Sequence, residues 1–326
     1  MPVSIGRRGL VLGGGAALAM PTMARAAWQA RPITLVHGFG GGGTADGVAR
    51  ILAEGLSSRL GLTVVVEARP GAGGTIAARG VAKSSAPNGH TLILLTGGHT
   101  VVAAMYKALP YNTLEDFTYV GLSGFGGPFV LFVARDSAFQ TPADVIVHAR
   151  ANPGTLTYGS SGIGTTGHLT MELFVSRTGL DVLHVPYRDS AQPAIDLSTK
   201  RLDLLIANLG SVKALVDAGD IRPIGVSSLD RFVDLPEAHT FAEDGVASFD
   251  VTTYYGIAGP RGLPDDIVVD INRAVAGIMA DPQAVARLRS LFTYPLTSTP
   301  QDFSTRIASE VASWTEVVRL ARVERI

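Results

Sequence analysis

Two glycine-rich segments carry most of the chemistry available to this chain. The first is Val36-His37-Gly38-Phe39-Gly40-Gly41-Gly42-Gly43-Thr44-Ala45-Asp46, set between a β-branched run and a helical pattern. The second is Tyr158-Gly159-Ser160-Ser161-Gly162-Ile163-Gly164-Thr165-Thr166-Gly167-His168, which adds four hydroxyls. Glycine lets backbone approach a ligand closely, and the free N–H groups of a helix start favour an anion. Hydroxyls donate and accept in the same site. Two such loops facing each other suit a small carboxylate without lysine or arginine. Each loop alone also serves as a tight strand-to-helix turn.

Other chemistries compete for the same residues. Gly38-x-Gly40-x-x-Gly43 follows a strand as a dinucleotide fingerprint does, and Glu67 ends the next strand where a ribose-binding acid would stand. An exported NAD(P)-dependent oxidoreductase using the Gly38–Gly43 loop is therefore the alternative reading. His37-Gly38-Phe39-Gly40-Gly41 also looks like a hydrolase oxyanion loop. The nucleophile elbow that reading needs is missing: Gly121-Leu122-Ser123-Gly124-Phe125 and Gly159-Ser160-Ser161-Gly162-Ile163 both lack the final glycine. The seven histidines show no i, i+4 pair and no His-Glu-x-x-His, so no metal site is expected. No catalytic residue and no cofactor is assigned. Asp46 could meet a ligand's donor group, although an acid in a first helical turn already answers the helix dipole.

Short apolar runs and helical patterns alternate to position these loops. Ile33–Val36, Thr63–Val66 and Leu92–Leu95 read as strands, with helices near 44–60 and 74–84. That order points to a parallel, doubly wound sheet. A second set follows, with strands at 129–134, 156–159, 182–185, 202–206 and 224–227. Its helices fall near 141–151, 165–178, 190–200 and 211–218. Gly124-Phe125-Gly126-Gly127-Pro128 reads as a crossover linker between the sets. Past Tyr254–Ala258 the chain turns helical. Pro264-Asp265-Asp266 starts one helix, and Phe303, Ile307, Val311, Trp314 and Val318 stripe another as packing surface.

Composition narrows the function classes. The 326 residues include 38 glycines, nearly twice the usual share of about 7%, and no cysteine. Disulfide, thiolate-metal and cysteine-nucleophile chemistry are thereby excluded. With 27 basic and 28 acidic residues the chain lacks the basic field a nucleic acid requires. Residues 1–26 read as a signal peptide: Arg7-Arg8, an uncharged run from Gly9 to Ala24, and a small-residue Ala24-Arg25-Ala26 cleavage pattern. The twin arginine suggests the twin-arginine export route. A periplasmic mature protein follows, with 24 basic against 28 acidic residues once Arg7, Arg8 and Arg25 are removed.

At these residues a family likeness emerges. The chain resembles the Bug-type (Bordetella uptake) receptors, the extracytoplasmic solute-binding components of tripartite tricarboxylate transporters. The likeness runs from about Arg31 to Val323. Arg31-Pro32-Ile33-Thr34-Leu35-Val36 is similar to the family's opening strand, and Val65-Val66-Glu67-Ala68-Arg69-Pro70-Gly71-Ala72-Gly73-Gly74 to its V-E-N-R-P-G-A-G-G. Pro87-Asn88-Gly89-His90-Thr91-Leu92, the 162–169 loop, His184-Val185-Pro186-Tyr187-Arg188 and Ala242-Glu243-Asp244-Gly245 extend it.

The resemblance implies a two-lobed α/β periplasmic binding protein of the type II kind, each lobe a doubly wound sheet, with the ligand cleft between lobes. Lobe one would comprise 27–124 plus 254–326, and lobe two 125–253. It implies a small carboxylate ligand, transient contact with transporter membrane subunits, no nucleic-acid partner, and a monomer. Carried over position by position, the ligand-binding residues would be Phe39, Gly42, Gly43, Thr44 and Asp46 from the first loop. The second loop would give Gly162, Thr165, Thr166 and His168, with Tyr187 and Asn208 as neighbours. The family's V-P-F-P-P-G-G is replaced here by His37-Gly38-Phe39-Gly40-Gly41-Gly42-Gly43, three prolines giving way to glycine. Ala207 and Asp189 stand where the family has aspartate and glycine.

Overall fold

The computed structural model describes residues 31–187, 191–247 and 249–326, so the export segment and Asp189 lie outside the described residues. The chain runs β1 (Ile33–His37), α1 (Thr44–Leu60), β2 (Val64–Ala68), α2 (Thr75–Ser84), β3 (Thr91–Thr96), α3 (Gly98–Met105) and β4 (Phe117–Ala134). It continues through α4 (Pro142–Ala151), β5 (Thr157–Ser160), α5 (Thr166–Thr178), β6 (Leu183–Pro186), α6 (Ala191–Ser198), β7 (Leu204–Asn208) and α7 (Leu209–Asp217). Then come β8 (Ile221–Val226), β9 (His239–Thr240), β10 (Thr252–Pro260), α8 (Asp265–Met279), α9 (Pro282–Arg289) and α10 (Pro300–Leu320).

Alternation along the strands explains the layers. In β1, Ile33 and Leu35 enter one core while Val36 enters another; β3 repeats this with Leu92 and Leu94 against Ile93 and Leu95. Successive strand residues point to opposite faces, so such runs need helices on both sides. Helices α1 and α8 cover one face, and α2 with the first turns of α10 covers the other. The second half repeats the scheme: Phe129, Leu131 and Val133 of β4 face one core, Val130 and Phe132 the other.

The sheet order is β2-β1-β3-β10-β4-β7-β5-β6, with β8 also on β4 and β9 on β8. Strands β2, β1 and β3 are parallel as the sequence predicts, and so are β7, β5 and β6. Strand β10 enters antiparallel between β3 and β4, making the sheet mixed.

The expected linker at Gly124–Pro128 is corrected: it is the middle of β4, an 18-residue strand. The first part of β4 pairs with β10, and its last part with β7 and β8. One strand thus belongs to both halves. Glycine signals a break in sequence but here permits a bend, with Gly127 at φ +80° against the Phe232 ring. Helices α3 and α9 have no counterpart in the sequence reading. Helix α10 also joins the halves: Phe303 and Ile307 sit in the first half's core, Trp314, Val317 and Val318 in the second's.

Candidate functional site

The first loop leaves β1 at His37 and enters α1 at Thr44. Gly43 is the N-cap, with no side chain closing the helix start, and Gly41–Gly43 are exposed. Asp46 anchors the loop from within the first turn. Its oxygens accept from Gly42 N (3.0 Å) and from Arg50 Nε and Nη2 (2.9 and 3.2 Å), and one lies 3.1 Å from His37 Nε2. The Arg50 bonds, the Gly42 N–H and the His37 contact hold its carboxyl down at about 2, against the opposing push of burial. Asp46 therefore shapes the loop with both oxygens engaged by its own chain. Phe39 packs onto the core shared by α1 and α8. Gly38 touches backbone: a Cβ there would lie 2.4 Å from Gly74 Cα, so no other residue fits without moving the turn into α2.

The second loop leaves β5 at Ser160 and enters α5 at Thr166. Thr165 is a side-chain N-cap: its Oγ1 accepts from His168 N (3.3 Å) and donates to Gly162 O (2.8 Å). Replacing it by alanine is expected to lower stability by about 1 kcal/mol, and by serine hardly at all, read from urea midpoints. Ser160 Oγ accepts from Gly162 N (3.2 Å) and lies 2.7 Å from His184 Nε2. Gly164 N donates to His168 Nδ1 (3.3 Å), which turns the imidazole inward, 4% exposed. Below it His168 stacks on His184 (4.2 Å), and His184 on Tyr158 (4.6 Å). Tyr158 Oη donates to Glu172 Oε1 at 2.5 Å.

Burial keeps these rings neutral. His168 is lowered to about 3 by burial and then by His184, and burial alone lowers His184 and His99 to about 4. Each binds a proton less readily folded than unfolded, where imidazole titrates near about 6.5. Their contribution is complete above that pH and is lost as pH falls toward the folded values. The slope per fully buried imidazole reaches about 1.4 kcal/mol per pH unit. Urea midpoints should therefore hold steady down to about pH 6.5 and drop steeply below it. A midpoint constant to about pH 5 would contradict this burial.

The halves meet at two pairs of helix starts. A Cβ on Gly210, in the first turn of α7, would lie 3.8 Å from Thr44 Oγ1 at the start of α1. A Cβ on Gly98, opening α3, would lie 3.8 Å from Thr166 Oγ1 at the start of α5. Helix starts carry unpaired N–H groups and the positive end of the dipole, so this boundary favours an anion. Asn208, the N-cap of α7, makes no capping bond with its side chain and reaches Pro128 O at 3.5 Å. Tyr187 lies beside the second loop, its carbonyl 3.1 Å from a Cβ on Gly162, while its Oη donates to Asp196 at 2.8 Å. Neither loop contains a lysine or arginine.

Residues 48–322 match the family described as the tripartite tricarboxylate transporter family receptor. This chain belongs to that family. A Pseudomonas sp. (strain P51) protein encoded in the tcbD–tcbE intergenic region is 36% identical over 321 residues, 97% of this chain and 94% of the relative. Among solved structures, R. palustris Rpa4515 with adipate shares 36% identity at a TM-score of 0.81, over 92% of this chain and 100% of that one. The periplasmic binding protein BugD shares 29% identity at 0.77, over 90% and 99%. The Bug-type resemblance and the two-lobed α/β fold are thereby established, and the family consists of solute-binding receptors.

The expected site residues thus divide by what their side chains do. Thr44, Thr166 and Asn208 stand at helix starts where the halves face, and Gly42 and Gly43 expose backbone beside them. Asp46, Thr165 and His168 have side chains engaged in building the loops, and Phe39 joins the core. Sequence reasoning named Ser160 and Tyr158 in the second segment and His184 in a family motif, but missed their contacts with one another and missed Glu172, because these partners are distant in the chain. The hydrolase reading singled out Ser161, yet Ser160 is the serine beside a histidine, and it is fully buried. Glu67, the candidate ribose acid of the oxidoreductase reading, is held by Arg69 through both oxygens (2.7 and 2.9 Å).

Proposed function

We propose that this protein is an exported, monomeric receptor that captures a small organic carboxylate between its halves and presents it to the membrane subunits of a tripartite tricarboxylate-type transporter. The observation that carries the reading is the pair of strand–glycine–helix loops whose helix starts face the opposite half. The anion sits on backbone amides and hydroxyls, and neutral His168 and His184 beneath the second loop bring no charge of their own. Adipate in the Rpa4515 structure supports the carboxylate class. The ligand-contact set is Gly43, Thr44, Thr166 and Asn208, with Gly42, whose N–H is held by Asp46, and Gly162 and Tyr187 as neighbours. Closure turns on strand β4 and helix α10, which both halves share, a hinge arrangement of the kind ligand-binding lobes use. Residues 1–26 direct export to the periplasm and are removed near Ala26; lobe one is then 27–124 with 254–326, and lobe two 125–253.

The reading involves no catalysis. Thermal denaturation of ligand-free protein against a panel of organic acids and against NAD(P) tests it. A melting shift with an organic acid and none with NAD(P) is the expected result. Tight NAD(P) binding with no response to any acid would transfer the first loop to the oxidoreductase alternative.

A further inference from the structure

We propose that the pocket beneath the first loop is a subsite for a single hydroxyl-type oxygen, supplied by a hydroxyl on the bound acid or by an ordered water. The inference rests on the carboxylate-receptor reading above. The pocket opens where Gly38 and Phe39 leave β1 and is bounded by Gly74, Thr96, His99 and Tyr111. Its volume of about 20 Å³ admits one water-sized group and is too small for a carboxylate. The close approach of Gly38 to Gly74 seats the start of α2 directly against the first loop.

The Tyr111 hydroxyl defines its chemistry. Tyr111 is 5% exposed, yet its Oη has no hydrogen-bond partner. Thr75, the first residue of α2, is equally buried and its Oγ1 is also unpartnered. The two hydroxyls are neighbours, and of the two only Tyr111 lines the pocket. A buried hydroxyl left unpaired costs about 1–3 kcal/mol, so a group that can donate and accept is favoured beside Tyr111.

The surrounding groups reject a second charge. His99 stacks parallel on Tyr111 with ring centres 5.8 Å apart. Its Nε2 lies 3.3 Å from Tyr119 Oη, which donates to Thr113 O at 2.5 Å. A phenol has one proton, so Nε2 carries the proton of a neutral imidazole. Burial keeps His99 neutral by holding it at about 4, and pushes the Tyr111 phenol up to about 12. No lining residue is cationic. A carboxylate oxygen would find no compensating charge, whereas an O–H group can both donate and accept there.

The test uses paired acids: succinate with malate, glutarate with 2-hydroxyglutarate, and adipate with 3-hydroxyadipate. Each is titrated into the full mature chain, Tyr111→Phe and Thr75→Val, and the ligand-free wild type and Tyr111→Phe proteins are crystallised. If the ligand supplies the oxygen, one hydroxy acid binds about 10-fold tighter than its parent, and Tyr111→Phe removes that gain while leaving the parent's affinity unchanged. If water supplies it, the pairs bind alike, and ligand-free crystals show an oxygen bonded to Tyr111 Oη that Tyr111→Phe loses. A closed pocket with Tyr111 bonded directly to Thr75, and pairs that bind alike in all variants, overturns the subsite. If no acid binds, the receptor reading fails on its own, and the ligand-free crystals still decide the pocket.

Discussion

Thr166→Asp is expected to abolish carboxylate capture while leaving the fold intact. Thr166 opens α5 and its hydroxyl faces the start of α3, so an aspartate there places a negative charge in the boundary meant for an anion. At an effective dielectric near 20, like charges about 4 Å apart repel by about 4 kcal/mol. Solvent and rotamer relaxation reduce that, leaving a loss of at least ~100-fold in affinity. An acid in a first helical turn stabilises the helix, so melting without ligand should hold or rise slightly. Calorimetric titration beside a melting curve separates the two effects. Unchanged affinity would remove Thr166 from the site.

Asp46→Ala carries the second large effect, mostly on stability. The substitution leaves Gly42 N, Arg50 and the fully buried His37 without the carboxylate they share. The Arg50 side chain is 63% exposed, so its share is screened and small. The buried His37 contact and the Gly42 amide bond dominate, for a loss of about 2–4 kcal/mol. With Gly42 released, affinity should also fall by about 10-fold. The carboxyl is depressed in the folded state, so its stabilisation is complete above the unfolded value near about 3.9 and is lost as pH falls through about 2. Urea denaturation of wild type and variant at neutral and acidic pH measures both features. A neutral-pH difference under about 0.5 kcal/mol would show that Asp46 does not hold the loop.

Much of the fold was legible because local pattern and tertiary demand agreed. The helix 44–60 follows directly from Thr44, Asp46 and the apolar repeat behind them, and the strand alternation announces two buried faces. Gly124–Pro128 misled because glycine in sequence marks either a break or a bend, and only pairing with β10, β7 and β8 decides between them. Helix α3 escaped notice because Gly97 and Gly98 stand at its start and its eight residues are too few to establish a period. The two loops stood out through composition alone, but the division between residues facing the boundary and residues building the loop did not. His168 reads as a cleft residue until Gly164 N is seen to turn its ring inward over His184. Long-range partnerships such as Ser160 with His184 leave no trace in spacing.

The central claim is that backbone amides of both loops hold one anion. Amide NMR of ligand-free protein labelled with 15N-glycine and 15N-threonine, titrated with adipate and then the wider acid panel, tests it directly. The account predicts that Gly42, Gly43 and Thr44 shift together with Gly162 and Thr166, all with a single dissociation constant. Shifts confined to one loop, or two loops saturating at different concentrations, would contradict it.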